Sequence, residues 1–105
     1  MKNHEDYFNL LRKINNKPKL TQRGLAKELG YSLGKLNYCL KELKNKGLIK
    51  IKHFNRNLRR SRNKADYFYM LTTKGISQKT KLTLSFMKKK MKEYDKLREE
   101  MEKDK

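Results

Sequence analysis

The 105-residue sequence predicts a mainly α fold with one small β-hairpin, closed by a long C-terminal helix. Three observations carry that prediction. Apolar residues recur at helical spacing over residues 5–15, 21–29 and 32–46, and again from about Thr73 to Lys103. Only two short runs, LIKIKHF at 48–54 and DYFYMLT at 66–72, have strand character. Gly30 and Gly47 stand where helices should stop, and the single proline, Pro18, falls just after Asn15 and Asn16.

The first helix is expected over residues 5–15. Tyr7, Leu10, Leu11 and Ile14 sit at i, i+3, i+4 and i+7, and Glu5 and Asp6 suit the positive end of the helix dipole. Asn15, Asn16 and Pro18 break it. Thr21 is placed to cap a short helix through Leu29, with Leu25, Ala26 and Leu29 inward and Gly30 as the stop. Ser32 caps the next helix, which ends at Gly47. Two helices joined by a three-residue turn with a glycine in it have the helix-turn-helix spacing. The two strand-like runs then pair as a hairpin, with Ile49, Ile51 and His53 on one face and Lys50 and Lys52 on the other. The ten residues between them, NRNLRRSRNK, are too polar for a core. A hairpin after a helix-turn-helix is a wing, so residues 1–72 are expected to form a winged helix-turn-helix DNA-binding domain. Residues 73–105 are expected to form a long dimerisation helix.

Composition narrows the function. The length suits one core. The net charge is +18, and it is unevenly spread: residues 92–105 hold five basic and six acidic side chains, which leaves +19 on residues 1–91. A basic protein of one-signed surface has a polyanionic partner, with double-stranded DNA the first candidate. A membrane is not expected as partner. No run nears the roughly 18 apolar residues of a span, no helix joins a continuous basic face to a large apolar one, and MKNHEDYF has no signal-peptide core. A single cysteine, Cys39, excludes an internal disulfide and fits a reducing cytoplasm. His4 and His53 lack metal-ligand spacing and Cys39 lacks a partner at a motif distance, so no enzyme, metal or cofactor is expected. Cys39 reads first as a small core residue and second as a redox sensor whose pKa neighbouring lysines would lower. His53 reads as a half-buried strand residue. Tyr67, Phe68 and Tyr69 read as core and strand filler ahead of a base-stacking platform for RNA.

The helix after Ser32 starts poorly. Its first residues are Leu33, Gly34 and Lys35. Glycine costs about 0.5–1 kcal/mol against alanine within a helix, and an early lysine opposes the dipole. On a wheel, Leu33, Leu36, Leu40 and Leu43 share one side, with Cys39 at its margin. Gly34, Tyr38, Lys41 and Asn45 lie opposite, flanked by Lys35 and Asn37. An outward glycine lets the backbone approach another molecule closely, and free N–H groups there favour phosphate. Recognition helices present such first turns to base edges in the major groove. Asn37 suits adenine, Lys35 suits guanine or a phosphate, and Tyr38 and Lys41 suit backbone or a thymine methyl. Thr21, Gln22, Arg23 and Lys27 on the preceding helix would grip phosphates and set register. The wing is the second contact: Arg56, Arg59, Arg60, Arg62 and Lys64 suit a narrow minor groove.

These residues also carry a family resemblance. TQRGLAKELGYSLGKLNYCLKELKNKGLIKIKHF, with the wing and LTTKGI after it, resembles the MarR-type winged helix-turn-helix regulators over nearly the whole chain. The segments S-L-G-K-x-N-Y-C-L-K and KLTLSFMKKKMKEY are most similar to a small subgroup associated with exopolysaccharide (EPS) gene clusters. Winged helices in general share TxxxLAxxLGxS; fewer share SLGKLNYCLK. The resemblance implies a homodimer on pseudo-palindromic promoter DNA, regulating exopolysaccharide genes. It places major-groove contacts on Ser32 to Tyr38 and minor-groove contacts on the arginines of 56–62. Larger MarR relatives build a dimer domain from both chain ends and often hold a small acidic effector beside it. This chain has one helix after the wing, and no effector is assigned.

That last helix carries its own signal. From Met87 the apolar residues Met91, Tyr94, Leu97 and Met101 step by 4, 3, 3 and 4, close to a heptad seam with charges of both signs around it. A second copy is the expected partner. Two other functions compete: an RNA- or ribosome-associated winged helix, and an interaction module that docks a partner on the long helix.

Overall fold

A computed structural model of the chain describes residues 4–52 and 67–104. His53, Arg56, Arg59, Arg60, Arg62 and Lys64 lie outside those residues. Among the described residues, four helices and two strands run in the order α1 (His4–Asn16), α2 (Gln22–Leu29), α3 (Leu33–Asn45), β1 (Ile49–Lys52), β2 (Phe68–Leu71) and α4 (Thr73–Lys103). This is a mostly helical winged helix-turn-helix with a long terminal helix, the fold class the sequence predicts.

The helix ends follow local chemistry. Thr21 and Ser32 are extended caps whose hydroxyls accept from the Gly24 and Lys35 amides. Gly30 closes α2 at φ 72°, and Gly47 turns the chain into β1 at φ 73°. Only glycine takes that left-handed conformation at no steric cost. The two strands pair antiparallel, setting Ile49 opposite Leu71 and Ile51 opposite Tyr69. Thr21 bridges to Phe68, so the segment entering α2 extends the small sheet.

The core lies where α1, α2 and α3 meet over the hairpin. Leu10, Leu11, Leu25, Leu36 and Leu43 are each no more than 1% exposed, and Tyr7, Ile14, Leu40, Leu48, Ile49 and Leu71 complete the cluster. Each such leucine contributes roughly 1.5–3 kcal/mol by burial. Burial pushes the Tyr7 phenol up to about 12. At the surface, Lys17 and Lys13 reach Glu28 at 2.6 and 3.6 Å and tie the end of α1 to α2. The Lys17 hydrogen bond, reinforced by both ammonium charges, holds that carboxyl below its usual range.

The start of α4 is welded to the β1 entrance. The Thr72 amide donates to Leu48 O at 2.9 Å, and its hydroxyl donates to Gly47 O and accepts from the Gly75 amide. Gly75 packs so closely that a Cβ there would lie 1.9 Å from Leu48 O. Further along, Phe86 stacks on Phe8 of α1 with centroids 4.8 Å apart. Beyond Phe86 every described residue of α4 is exposed. The molecule is accordingly drawn out to 65 × 26 × 23 Å. Among the described residues no helix is long and apolar enough to cross a membrane.

Candidate nucleic-acid interface

The helix-turn-helix fixes α3 with Leu36, Cys39, Leu40 and Leu43 inward. What remains outward is Gly34, Asn37, Tyr38, Lys41, Lys44 and Asn45, all exposed, with Tyr38 at 61%. A Cβ added to Gly34 would meet nothing within 4 Å. The fold therefore has no steric use for this glycine. The first turn of α3 contains no acid.

Several expected residues sit differently from their sequence reading. Leu33, placed with the apolar side on the wheel, is 52% exposed. It therefore stands on the surface beside Ser32 and Gly34. Gln22, expected on the outer face of α2 against phosphate, is only 3% exposed. Its amide donates instead to the Asn37 side-chain oxygen, which links α2 to the outer face of α3. Lys35 is paired within the fold. Its ammonium lies 2.8 Å from the Asp6 carboxylate and 4.2 Å over the Tyr31 ring. The Tyr31 hydroxyl in turn donates to the Asp6 carbonyl at 3.0 Å and nears its carboxylate at 3.3 Å. Burial and the Asp6 charge together push the Tyr31 phenol up. Asp6, Tyr31 and Lys35 thus clamp the start of the outward helix to α1. Sequence spacing gave no signal for this clamp, since its members lie 25 and 29 residues apart along the chain.

Arg23 and Lys27 are exposed on α2, and Thr21 is half-buried by its cap and sheet bridge. A groove of about 590 Å³ opens between α3 and the hairpin, lined by Asn37, Lys41, Lys44, Asn45, Ile51 and Tyr67 among others. Lys44 was not singled out from sequence, though its place one turn after Lys41 is the signal that finds it. Tyr69 is 7% exposed and belongs to the core, as read from sequence. Cys39 is 3% exposed; burial pushes its thiol up, Asp6 adds to that, and Lys35 offsets part of it. The thiolate is therefore suppressed, which favours the core reading over the redox sensor. Among the described residues no three metal-ligating side chains gather.

Comparison with known proteins bears on the fold. Residues 8–50 match the family model described as winged helix-turn-helix DNA-binding. No curated protein sequence matches the chain significantly. Among solved structures, Staphylococcus aureus MarR in complex with salicylate and kanamycin superposes with a TM-score of 0.70 at 20% identity. That likeness covers 86% of this chain and 56% of MarR. Streptococcus pneumoniae FabT in complex with DNA gives 0.64 at 22% identity over 88% of this chain and 59% of FabT. A mutant of S. aureus MepR gives 0.73 at 22% identity over 90% of this chain and 66% of MepR. The likeness is one of fold. This chain spans between about half and two thirds of the length of these structures.

Proposed function

We propose that the chain is a MarR-type transcriptional regulator that binds double-stranded DNA as a homodimer, with α3 in the major groove. The observation that carries this is the outer face of α3. A bare backbone at Gly34, two exposed polar side chains at Asn37 and Tyr38, and two lysines at Lys41 and Lys44 follow one another along it, and the one acid of α3, Glu42, is half-buried. Such a surface can enter a groove without clash, offer hydrogen bonds to base edges and neutralise phosphates on the way out. Ser32 and Leu33 stand at the mouth of the same face. Arg23 on α2 and its cap residue Thr21 are assigned to phosphate, and Arg56, Arg59, Arg60, Arg62 and Lys64 of the wing to the adjacent minor groove. The groove between α3 and the hairpin suits the backbone strand that runs between those two contacts.

Lys35 is reassigned by its clamp: it positions the helix start, and Asn37 becomes the principal reader. Met87, Met91, Tyr94, Leu97 and Met101 supply the dimer seam, and a twofold pair of α3 helices demands a pseudo-palindromic site. Exopolysaccharide genes are the proposed targets. The RNA reading is less favoured: Tyr69 is buried, which removes one of the three strand aromatics that a base-stacking platform would use.

The test is a footprint-defined operator followed by Asn37→Asp. This variant keeps an acceptor for the buried Gln22 amide but removes the donor that a bidentate adenine pair needs. Operator affinity is expected to fall by about 1–3 kcal/mol from the lost base contact, beyond any loss on random DNA. Equal losses on both sequences would remove Asn37 from the base-reading role.

A further inference from the structure

The exposed part of α4 is divided by charge. From Thr73 to Lys92 it holds seven lysines and no acid, and from Glu93 to Asp104 it holds six acids against three basic residues. The apolar seam crosses that boundary without a break. Leu84, Met87, Met91, Tyr94 and Met101 are 54–65% exposed, far more than side chains of their size need be in a folded domain. Nothing else in the described fold lies over them. Glu99, Glu100 and Glu102 form no ion pair among the described residues, whereas Lys90 and Arg98 make only i,i+3 pairs at 3.6 and 3.9 Å.

We propose that this face is covered by α4 of a second copy lying antiparallel, so that each basic half rests on the other's acidic half. The inference rests on the homodimer reading above and assigns its geometry. A heptad with Leu84, Met91 and Arg98 at one seam position and Met87, Tyr94 and Met101 at the other pairs unlike positions when the helices oppose. A dyad between residues 92 and 93 then sets Leu84 opposite Met101 and Met91 opposite Tyr94, with Met87 opposite Arg98. The flanking position of Lys88 falls between Asp95 and Glu102 of the second copy. A parallel pair would instead stack lysine-rich half on lysine-rich half and bring the two highly basic winged domains together at one end. Both arrangements bury the same stripe, so charge decides between them.

The far end of the seam also finds a seat. A groove of about 530 Å³ lies between α1 and α4, floored by Phe8, Phe86, Met87 and Met91, with Arg12, Lys90 and one acid, Glu5, also lining it. In the antiparallel register it receives Leu97 and Met101 of the second copy, while the glutamates around them meet Arg12 and Lys90. The Arg12 guanidinium already lies 5.4 Å over the Phe8 ring at that mouth.

Cysteine cross-linking of the full chain tests the geometry. Leu84→Cys/Met101→Cys is expected to form covalent dimers on oxidation, while Met87→Cys alone is expected to stay uncross-linked, because its own copy lies some 16 Å along the axis at 1.5 Å per residue. The unsubstituted chain, whose lone Cys39 is buried, is the control. Lys88→Glu should weaken the dimer in sedimentation, and Asp95→Lys/Glu102→Lys on the same chain should restore it. Efficient cross-linking of Met87→Cys alone would establish a parallel pair and overturn the proposal. A dimer that gives neither cross-link would place the interface elsewhere and overturn it too. A full chain that sediments as a monomer at the concentrations where it binds DNA would instead remove the homodimer reading beneath it. These positions are exposed and away from the core, so circular dichroism will show an unchanged fold in each variant.

Discussion

Gly34 and Cys39 sit five residues apart on α3 and answer to opposite constraints. The fold leaves open space around Gly34, so Gly34→Ala should raise stability toward denaturant by about 0.5–1 kcal/mol through helix propensity. The same methyl would stand between the helix backbone and DNA, and operator affinity is expected to fall. A variant that gains stability and keeps full affinity would show that the backbone never makes a close approach. Cys39 has the reverse setting, packed among Leu36, Leu40 and Leu43 with its thiol pushed up by burial. Because its pKa is raised, the thiolate is scarce through neutral pH and grows only as the solution becomes alkaline. Native protein should therefore react with iodoacetamide near pH 8 far more slowly than the same chain in denaturant. Comparable rates would return the redox reading to consideration.

Elements depend on contacts their own sequences do not advertise. The α4 helix would form from its propensity and its Thr72 cap, but its direction comes from Gly75 lying on Leu48. Replacing Gly75 with alanine would drive a Cβ to 1.9 Å from a backbone oxygen that is itself hydrogen-bonded to the Thr72 amide. Neither partner can rotate away, so α4 or β1 must shift. A loss of about 1–3 kcal/mol, and occasionally more, is expected in denaturant unfolding. An unaltered midpoint would mean that α4 is not anchored at this point. The outward helix α3 is held at its other end by the Asp6, Tyr31 and Lys35 clamp, which makes α1 part of the frame that aims it.

The whole molecule is a compact winged domain with a projecting lever. A helix of 31 residues spans about 46 Å at 1.5 Å per residue, and little of its last half touches the core. A chain ending at Lys90 should therefore retain most of its melting temperature while sedimenting as a monomer. It should also lose most of its operator affinity, since two linked recognition helices bind far more tightly than one. A truncated chain that remains dimeric would move the interface to α1 around Phe8. Rising salt should weaken DNA binding steeply in either form, because each phosphate contact contributes about 0.9 to the slope of log affinity against log salt.

Helix limits, caps, the hairpin and the charge imbalance were legible in the sequence because each is decided over a few residues. Thr21 and Ser32 need only their next turn, Tyr7 and Ile14 only a helical period, and a lysine count needs no structure. The outward face of α3 was legible for the same reason: once Leu36, Leu40 and Leu43 face inward, Gly34, Asn37, Tyr38 and Lys41 have only one place to go. What tertiary structure alone decided were contacts between residues far apart in the chain. Gln22 looked like a surface amide until α3 placed Asn37 beside it, and Leu33 looked like core until the fold left it 52% exposed. Lys35 looked like a base reader until α1 brought Asp6 within 2.8 Å. Local periodicity specifies which way a side chain leaves its helix. It carries no information about what another helix brings to meet that side chain, and at this surface that meeting separates a residue that holds the fold from one left exposed.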